Sequence, residues 1–423
     1  MREKILPGIY SEIDPLEAVI IHTPGPEVEN MNPENAERAL YSDILNLSVA
    51  GQEYKQFNNV LSKFAHTLEV SDLLQEVLEI PPAREALLKK ICKSKETGAI
   101  LNQLESLDNL ALSDVLIKGM PKNYDTLSNF LSKERFSLKP LHNFFFTRDS
   151  AVVHANQIYI SKMASQVRAR ESMIMEVIFN HHPIFSKEIY SPDENSMAYE
   201  KIWYEGGDIL TAREDILVIG KGVRTSSCGI DFIVESLKQN KEAKKHILVQ
   251  ELPSEPESFI HLDMVFTFLN RDHCMLFEPI ILKNNKYQTV HIDIENGQVK
   301  SIRYIDNLLS GLESLGMSLK PIFTGGTKDL WVQEREQWHS GANFFALGPG
   351  KVLGYSRNEY TMEEMNKHGY VIINAKDFLD GTEVPGPDDQ FVIALEGSEL
   401  ARGGGGARCM TMPIVRRNDG IME

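Results

Sequence analysis

The sequence has no excess of basic residues. Its 44 lysines and arginines are outnumbered by 60 acidic residues, which gives a formal net charge of −16. A chain that binds nucleic acid or an anionic membrane needs a basic surface, so we expect neither partner. An acidic chain is compatible with a cationic small substrate, although acidity commonly serves only solubility.

Long hydrophobic runs and metal-binding motifs are also missing. The first residues, "MREKILPGIY", lack the apolar core of a signal peptide, and no run is long enough to span a bilayer. The four cysteines show no CxxC spacing, which is typical of reduced thiols in a cytoplasmic protein. No HExxH motif or Cys/His cluster occurs, so metal-dependent hydrolysis is disfavoured. We predict a cytoplasmic protein without a metal or a cofactor.

Short apolar runs alternate with helical patterns along the 423 residues. "EAVIIHTPG", "DILVIGKG" and "FVIALEG" predict strands that end in turns, while "QVRARESMIMEVIFNHHP" predicts a helix. Between His66 and Arg135 the strand patterns disappear, and "SDLLQEVLEI" and "PPAREALLKKI" favour helices instead. The sequence therefore predicts an α/β catalytic domain formed by residues 1–65 and 136–423, with an inserted helical subdomain at 66–135.

Four stretches place acids, histidine, glycines or cysteine where strands are expected: "NFFFTRDS", "YEGGDIL", "HLDMVF" and "RGGGGARCM". Each is weak alone. Asp149 could form a surface ion pair with Arg148, "EGGD" could be a hairpin turn, and Cys409 could be a small buried hydrophobe. His261 and Asp263 are two residues apart, so we expect them to project from one face of a strand.

Taken together, these residue types indicate attack on a guanidinium group. A cysteine nucleophile needs an acid such as histidine to protonate its leaving group. Several carboxylates in one pocket repel anions but pair with the planar fork of N–H donors that a guanidinium presents. Glycines beside Cys409 would let the backbone approach such a substrate closely.

The ordered set "FTRD", "EGGD", "HLDMVFT", "REQW", "GANFFALGPGKVLGYSRNE" and "RCMTMPIVR" resembles the arginine deiminase family of guanidino-group-modifying enzymes. The resemblance extends over nearly the whole chain. It implies a five-bladed, pseudo-symmetric α/β propeller (the pentein fold) around a central pocket, with an inserted helical subdomain. It also implies a hydrolase that converts L-arginine to L-citrulline and ammonia.

The resemblance also assigns roles to individual residues. Cys409 corresponds to the nucleophile and His261 to the general acid and base, with Glu205 as its partner. Asp149 and Asp263 correspond to the carboxylates that hold the guanidinium, whereas Asp208 is expected to fix a buried turn. The expected substrate-binding residues are Asn143, Phe146, Arg168, Arg224 and Arg402.

Two positions depart from the family pattern, both at the carboxylate end of the site. Gly404 stands where the family usually has an arginine, and His142 stands where it usually has a proline. Three other functions therefore stay open: a deiminase for a different guanidino compound, an amidinotransferase, and a non-catalytic arginine-binding sensor. In the first two cases the substrate is again a small guanidino compound. Whether the chain forms a homo-oligomer also stays open.

Overall fold

The computed structural model describes residues 4–31, 43–93, 95–185, 188–283 and 285–418. Strands and helices alternate through most of this chain, as the short apolar runs predicted. The strands are β1 Leu16–Ile21, β2 His66–Glu69, β3 Met120–Pro121, β4 Phe136–Leu138, β5 Ala151–His154, β6 Gln157–Ile160, β7 Ile189–Tyr190, β8 Ile209–Arg213, β9 Ile216–Lys221, β10 Lys245–Glu251, β11 Phe266–Phe268, β12 His273–Leu276, β13 Thr289–Glu295, β14 Gln298–Ile305, β15 Lys320–Phe323, β16 Phe345–Gly348, β17 Lys351–Tyr355, β18 Val371–Asn374, β19 Phe391–Leu395 and β20 Met412–Arg416.

The helices are mostly short. They are α1 Pro26–Glu29, α2 Leu47–Leu61, α3 Val70–Leu78, α4 Pro81–Ile91, α5 Lys95–Gly98, α6 Leu101–Glu105, α7 Asn109–Lys118, α8 Leu127–Phe130, α9 Ala169–His181, α10 Ser227–Leu237, α11 Leu262–Val265, α12 Glu278–Ile281, α13 Leu308–Ser314, α14 Leu330–Trp338, α15 Glu359–Lys367 and α16 Ala375–Asp380.

Apart from the short β3–β4 pair, the strands form sheets with one recurring pattern. Their orders are β20-β1-β2, β5-β6-β7, β8-β9-β10 extended by β13 and β14, β11-β12-β15, and β16-β17-β19-β18. In each sheet an antiparallel pair is followed by a parallel neighbour, as in β5–β6 and β6–β7, or β8–β9 and β9–β10. A parallel pair needs a crossover connection, so helices lie between these strands in sequence.

Helix α10 illustrates why the crossovers are helical and where they pack. Ser226 caps its start by accepting a hydrogen bond from the Gly229 N–H. Ile230, Ile233, Val234 and Leu237 follow the i, i+3, i+4, i+7 spacing and are all buried. They pack in one cluster with the apolar residues of β9 and β10. Burial of each such side chain stabilises the folded state by roughly 1.5–3 kcal/mol relative to leaving it exposed.

Each sheet begins just after one polar stretch. Asp149 precedes β5, Glu205 precedes β8, His261 precedes β11 and Cys409 precedes β20. In the remaining sheet, Asn343 occupies the corresponding place before β16. The repeated connectivity therefore places one polar or nucleophilic side chain at the same point of every unit.

The structure corrects the expected local structure around His261. His261 and Asp263 do not lie on a strand: His261 is the N-cap of α11, and the strand starts only at Phe266. The buried Asp208 carboxylate accepts a hydrogen bond from the Leu262 N–H, which stabilises a helical turn instead of extended backbone.

The start of the expected helical segment differs as well. Residues 66–69 form β2, which pairs in parallel with β1, and helices begin only at Val70. The sequence of this strand, "HTLE", contains one apolar residue and so shows neither an apolar run nor a clear alternation. Leu73, Leu74 and Val77 of α3 pack in one hydrophobic cluster with Ile158 of β6 and Ile174 of α9. The division at 66–135 stays a prediction.

Within the described ranges, no helix combines the length and apolar character that crossing a membrane requires.

Candidate active site

Cys409 lies at the centre of the predicted residues and is 4% exposed. Its Sγ atom is 3.7 Å from Asp263 Oδ2 and 3.9 Å from Asp263 Oδ1. Burial, followed by the negative charges of Asp263 and Asp149, raises the pKa of the Cys409 thiol well above its usual value. The sulfur is therefore a thiol at neutral pH.

His261 is held by Glu205 on one side and faces Asp149 on the other. Its Nε2 atom is 2.9 Å from Glu205 Oε2, and its Nδ1 atom is 3.9 Å from Asp149 Oδ1. Burial lowers the pKa of His261, but the carboxylates of Asp149, Glu205 and Asp208 outweigh burial and raise it to about 9. The imidazole is thus protonated at neutral pH and can act as an acid.

Asp149 is buried, but it does not pair with its neighbour Arg148. Arg168 Nη1 donates to Asp149 Oδ2 at 2.6 Å, and Arg168 also binds Glu171. Among the residues that the structure describes, Asp149 Oδ1 has no hydrogen-bond partner. A buried carboxylate oxygen without a partner is costly, so this atom is available to an N–H donor of a ligand.

Asp263 is fixed from behind by a buried arginine. Arg408 Nη1 donates to Asp263 Oδ2 at 2.8 Å, and Arg408 forms two further hydrogen bonds of 3.0 Å with Glu12. Burial raises the pKa of Asp263, and the Arg408 charge opposes this rise. The Glu12–Arg408 pair therefore orients one face of Asp263 and favours its ionised form.

A cavity of about 50 Å³, which we call the reaction cavity, is lined by Cys409, His261, Asp149 and the backbone of Gly403–Gly405. This space holds a few water molecules, whereas a pocket for a whole small ligand usually measures several hundred Å³. The reaction cavity is thus smaller than a pocket that encloses a whole small ligand.

The glycines before Cys409 allow close packing around this cavity. A Cβ atom on Gly405 would lie 2.4 Å from Phe146 Cε1, and one on Gly406 would lie 2.6 Å from Asn343 Oδ1. Real Cβ atoms do not approach other atoms so closely. The glycine run therefore brings backbone against the side chains that shape the site.

Most of the predicted substrate-binding residues line the reaction cavity, namely Asn143, Phe146, Arg168 and Arg224. Arg168 is 4% exposed and bound to acidic side chains and to the carbonyls of Asn143 and Phe146, so here it positions Asp149. Arg224 Nη1 lies 3.7 Å from Glu205 Oε1. Their roles as substrate ligands stay predictions.

Arg402 is placed differently. It pairs with Asp43 and Glu399 and lines a separate cavity of about 470 Å³, which we call the outer cavity. Gly404 borders both cavities, and its φ of +83° is a conformation that favours glycine. The structure thus does not bring Arg402 into contact with the reaction cavity, because its side chain is held by two carboxylates on the outer side of the glycine run.

Sequence reasoning missed Glu12, Asn343 and Arg408 as parts of the site. Arg408 and Glu12 are 396 positions apart, and no local pattern marks two such residues as partners. Asn343 lies in the conspicuous "GANFF" stretch, and its position before β16 is the one signal that could have revealed it. Asp208 is fully buried beneath His261, as expected for a residue that fixes a turn, and burial raises its pKa to about 7.

Asp149, Glu205 and His261 present ligand atoms within 4.8 Å of one another, a spacing that could hold a metal ion. Arg168 and Arg224 approach two of these side chains, at 2.6 Å from Asp149 and 3.7 Å from Glu205. A metal ion would compete with these arginines for the same carboxylates. A planar cation that donates N–H groups fits the arrangement better, because Asp149 Oδ1 accepts no hydrogen bond from any described residue.

Known proteins resemble this chain in sequence and in fold. A family model for arginine deiminase matches residues 37–416. The arginine deiminase of Listeria monocytogenes serotype 4a (strain HCC23) is 32% identical over 435 residues, which cover 98% of this chain and 99% of the relative.

Two solved structures share the fold at low sequence identity. SxtG, an amidinotransferase from Microseira wollei in the saxitoxin biosynthetic pathway, is 13% identical with a TM-score of 0.52, covering 99% of each chain. A dimethylarginine dimethylaminohydrolase in an adduct with S-methyl-L-thiocitrulline is 12% identical with a TM-score of 0.51, covering 94% of this chain and 99% of that one.

Proposed function

The chain belongs to the arginine deiminase family, and from this premise we propose that it hydrolyses L-arginine to L-citrulline and ammonia. The observation that carries the proposal is the meeting of Cys409, His261 and Asp149 around one small cavity, with Asp263 beside the Cys409 sulfur, although these residues come from three distant segments. A resonance-stabilised guanidinium is a poor electrophile, so it must be positioned and polarised before a thiolate can attack it.

Binding comes first in this reaction. The substrate guanidinium donates hydrogen bonds to Asp149, whose Oδ1 atom is unpartnered, and to Asp263. Its positive charge then offsets the two carboxylates that disfavour ionisation of Cys409, so the thiol releases its proton to solvent. The nucleophile is therefore formed when the substrate is present.

The thiolate then attacks the guanidinium carbon. An S–C bond forms, and the C–N bond to one terminal nitrogen breaks as protonated His261 delivers its proton to that nitrogen, which leaves as ammonia. Neutral His261 next takes a proton from water, whose oxygen attacks the covalent thiouronium-type intermediate. The S–C bond then breaks as the added hydroxyl group loses its proton to solvent, which releases citrulline and regenerates the Cys409 thiolate. Glu205 keeps the imidazole oriented through both steps.

The direct test is to incubate the purified protein with L-arginine and to measure citrulline and ammonia together. We expect equal amounts of the two products, and neither from a Cys409→Ser variant that folds normally. Trapping the intermediate by acid quench should increase the mass of the peptide that contains Cys409 by the mass of L-arginine less one ammonia. A protein that releases no ammonia from L-arginine contradicts the proposed substrate.

A different guanidino compound is the second candidate, and the position of Arg402 favours it. Arg402 pairs with Asp43 outside the reaction cavity, and Gly404 carries no side chain with which to hold a substrate carboxylate. A panel of L-arginine, agmatine and L-argininamide tests this point. Ammonia from agmatine but not from L-arginine would keep the chemistry and replace the substrate. Adding glycine, ornithine or lysine tests amidino transfer, which yields no citrulline.

The finer architecture and setting are part of the proposal. We take the five sheets with a shared connectivity to be the blades of a five-bladed α/β propeller, with residues 66–135 as a helical subdomain. The four free cysteines are compatible with a reducing cytoplasm. Whether the chain assembles with copies of itself stays a prediction for size measurement in solution.

A further inference from the structure

One side chain in contact with the Cys409 sulfur has no role in the reaction described so far. Asn343 precedes β16 in the same way that Asp149, Glu205, His261 and Cys409 precede the first strands of the other sheets. We propose that Asn343 is a further catalytic residue, whose side-chain N–H stabilises the Cys409 thiolate by a hydrogen bond to the sulfur. The inference rests on the proposed function only in taking Cys409 as the nucleophile.

The orientation of the Asn343 amide follows from its backbone contacts. Its Oδ1 atom accepts hydrogen bonds from the Arg408 N–H at 2.9 Å and from the Cys409 N–H at 3.3 Å. Backbone N–H groups donate only, so the oxygen must face them. The Nδ2 atom therefore points the other way, 3.2 Å from Cys409 Sγ and 3.0 Å from the Asp263 carbonyl oxygen.

The surroundings of the sulfur make this donor important. Asp263 and Asp149 both disfavour a negative charge on Cys409, while the more distant Arg408 and the Gly406 backbone favour it. Tyr355 also lies near enough to interact with Cys409 electrostatically. Among the described residues, Asn343 is the side chain with an N–H within hydrogen-bond distance of Sγ. Together with Gly406 it provides fixed dipoles directed at the developing charge.

Gly406, in the glycine run, packs directly against Asn343. Asn343 is 2% exposed, and its Oδ1, Cβ and carbonyl oxygen would lie 2.6–2.9 Å from a Cβ atom on residue 406. Any larger residue at 406 would push Asn343 away from the sulfur. The close packing of the backbone at position 406 against Asn343 therefore explains both why glycine is required there and how the Asn343 amide is held at Cys409.

The expected size of the effect follows from general values. A hydrogen bond to a charged group stabilises that group by enough free energy to shift its pKa by about one to two units. A less acidic thiol is also more nucleophilic, which recovers roughly half of the lost rate on a logarithmic scale. Removing the Asn343 amide should therefore lower kcat about three- to tenfold with little change in KM.

The experiment measures the thiol directly. The rate of alkylation of Cys409 by neutral iodoacetamide is followed against pH, together with the ultraviolet absorbance of the thiolate, for wild type, Asn343→Ala and Asn343→Asp. The aspartate variant keeps an oxygen for the Arg408 and Cys409 N–H groups but lacks the donor. Asn358→Ala is the matched control, because Asn358 is equally buried and donates to the His339 carbonyl instead.

We expect the alkylation midpoint to rise by about one unit or more in both Asn343 variants and to stay at the wild-type value in Asn358→Ala. Midpoints unchanged in both Asn343 variants would overturn the proposal, as would a loss of kcat that only tracks the loss of folded protein. The alkylation and absorbance readouts do not require turnover of L-arginine. A failure of the proposed substrate would therefore be recognised separately, by the absence of citrulline from wild type.

Discussion

Replacing Glu205 by glutamine tests whether the carboxylates around His261 determine its protonation. Glu205 is fully buried, and its Oε2 atom lies 2.9 Å from His261 Nε2. The substitution preserves the shape and an acceptor oxygen but removes the negative charge. A hydrogen bond to a charged group is worth about 1.5–3 kcal/mol, and one pKa unit corresponds to about 1.4 kcal/mol. The pKa of His261 should therefore fall by about one to two units.

The direction of the pH effect follows from the role of His261 as an acid. The pKa of His261 is raised from 6.5 to about 9, so the wild-type enzyme should lose activity as pH rises through about 9. In Glu205→Gln the loss should begin at roughly pH 7–8. Initial rates of citrulline formation between pH 5 and 10, in a constant-ionic-strength buffer, measure both midpoints.

A matched control separates this effect from the loss of a buried charge in general. Glu336 is also buried, at 5% exposure, and accepts hydrogen bonds from Thr361 and the Tyr360 N–H away from the reaction cavity. Glu336→Gln should keep the wild-type alkaline midpoint. If Glu205→Gln keeps it as well, the reasoning that assigns the His261 charge to its carboxylate neighbours is wrong.

Other substitutions test the substrate end, the glycine run and the fold. Arg224→Gln should raise KM for L-arginine about tenfold or more, because a charged donor at the reaction cavity is lost, whereas Arg402→Gln should change KM little. Steady-state kinetics of the two variants measure this difference. A larger rise in KM for Arg402→Gln than for Arg224→Gln would place the substrate carboxylate in the outer cavity. Gly405→Ala should displace the Phe146 ring, 2.4 Å from the new Cβ, and lower kcat/KM about tenfold or more with the Tm largely kept; an unchanged kcat/KM would show that the ring position is unimportant. His22 is paired with two carboxylates, which outweigh burial and raise its pKa from 6.5 to about 10, so its charge stabilises the fold below about pH 6.5 and this contribution is lost as pH rises through about 10. The difference in Tm between wild type and His22→Gln should narrow across that window, and a constant difference would contradict the pairing.

The sequence located most of the elements because their patterns are local. The runs that predicted β1, β9 and β19 are buried strands, and the amphipathic spacing of "SDLLQEVLEI" corresponds to α3. Failures occurred where tertiary contacts override the local pattern. The alternation in "HLDMVF" suggested a strand, but Asp208 from another segment holds the Leu262 N–H in a helical turn.

The candidate site was likewise predicted only as far as local sequence features allow. The sequence alone identified the reactive types, a cysteine, a histidine and several carboxylates, because chemistry restricts which side chains can attack and hold a guanidinium. It could not determine protonation, since the charge of His261 and the neutral thiol of Cys409 depend on burial and on carboxylates from distant segments. Nor could it find Glu12 behind Arg408, or Asn343 beside the sulfur, because contacts across 396 and 66 positions of the sequence exist only in the folded chain.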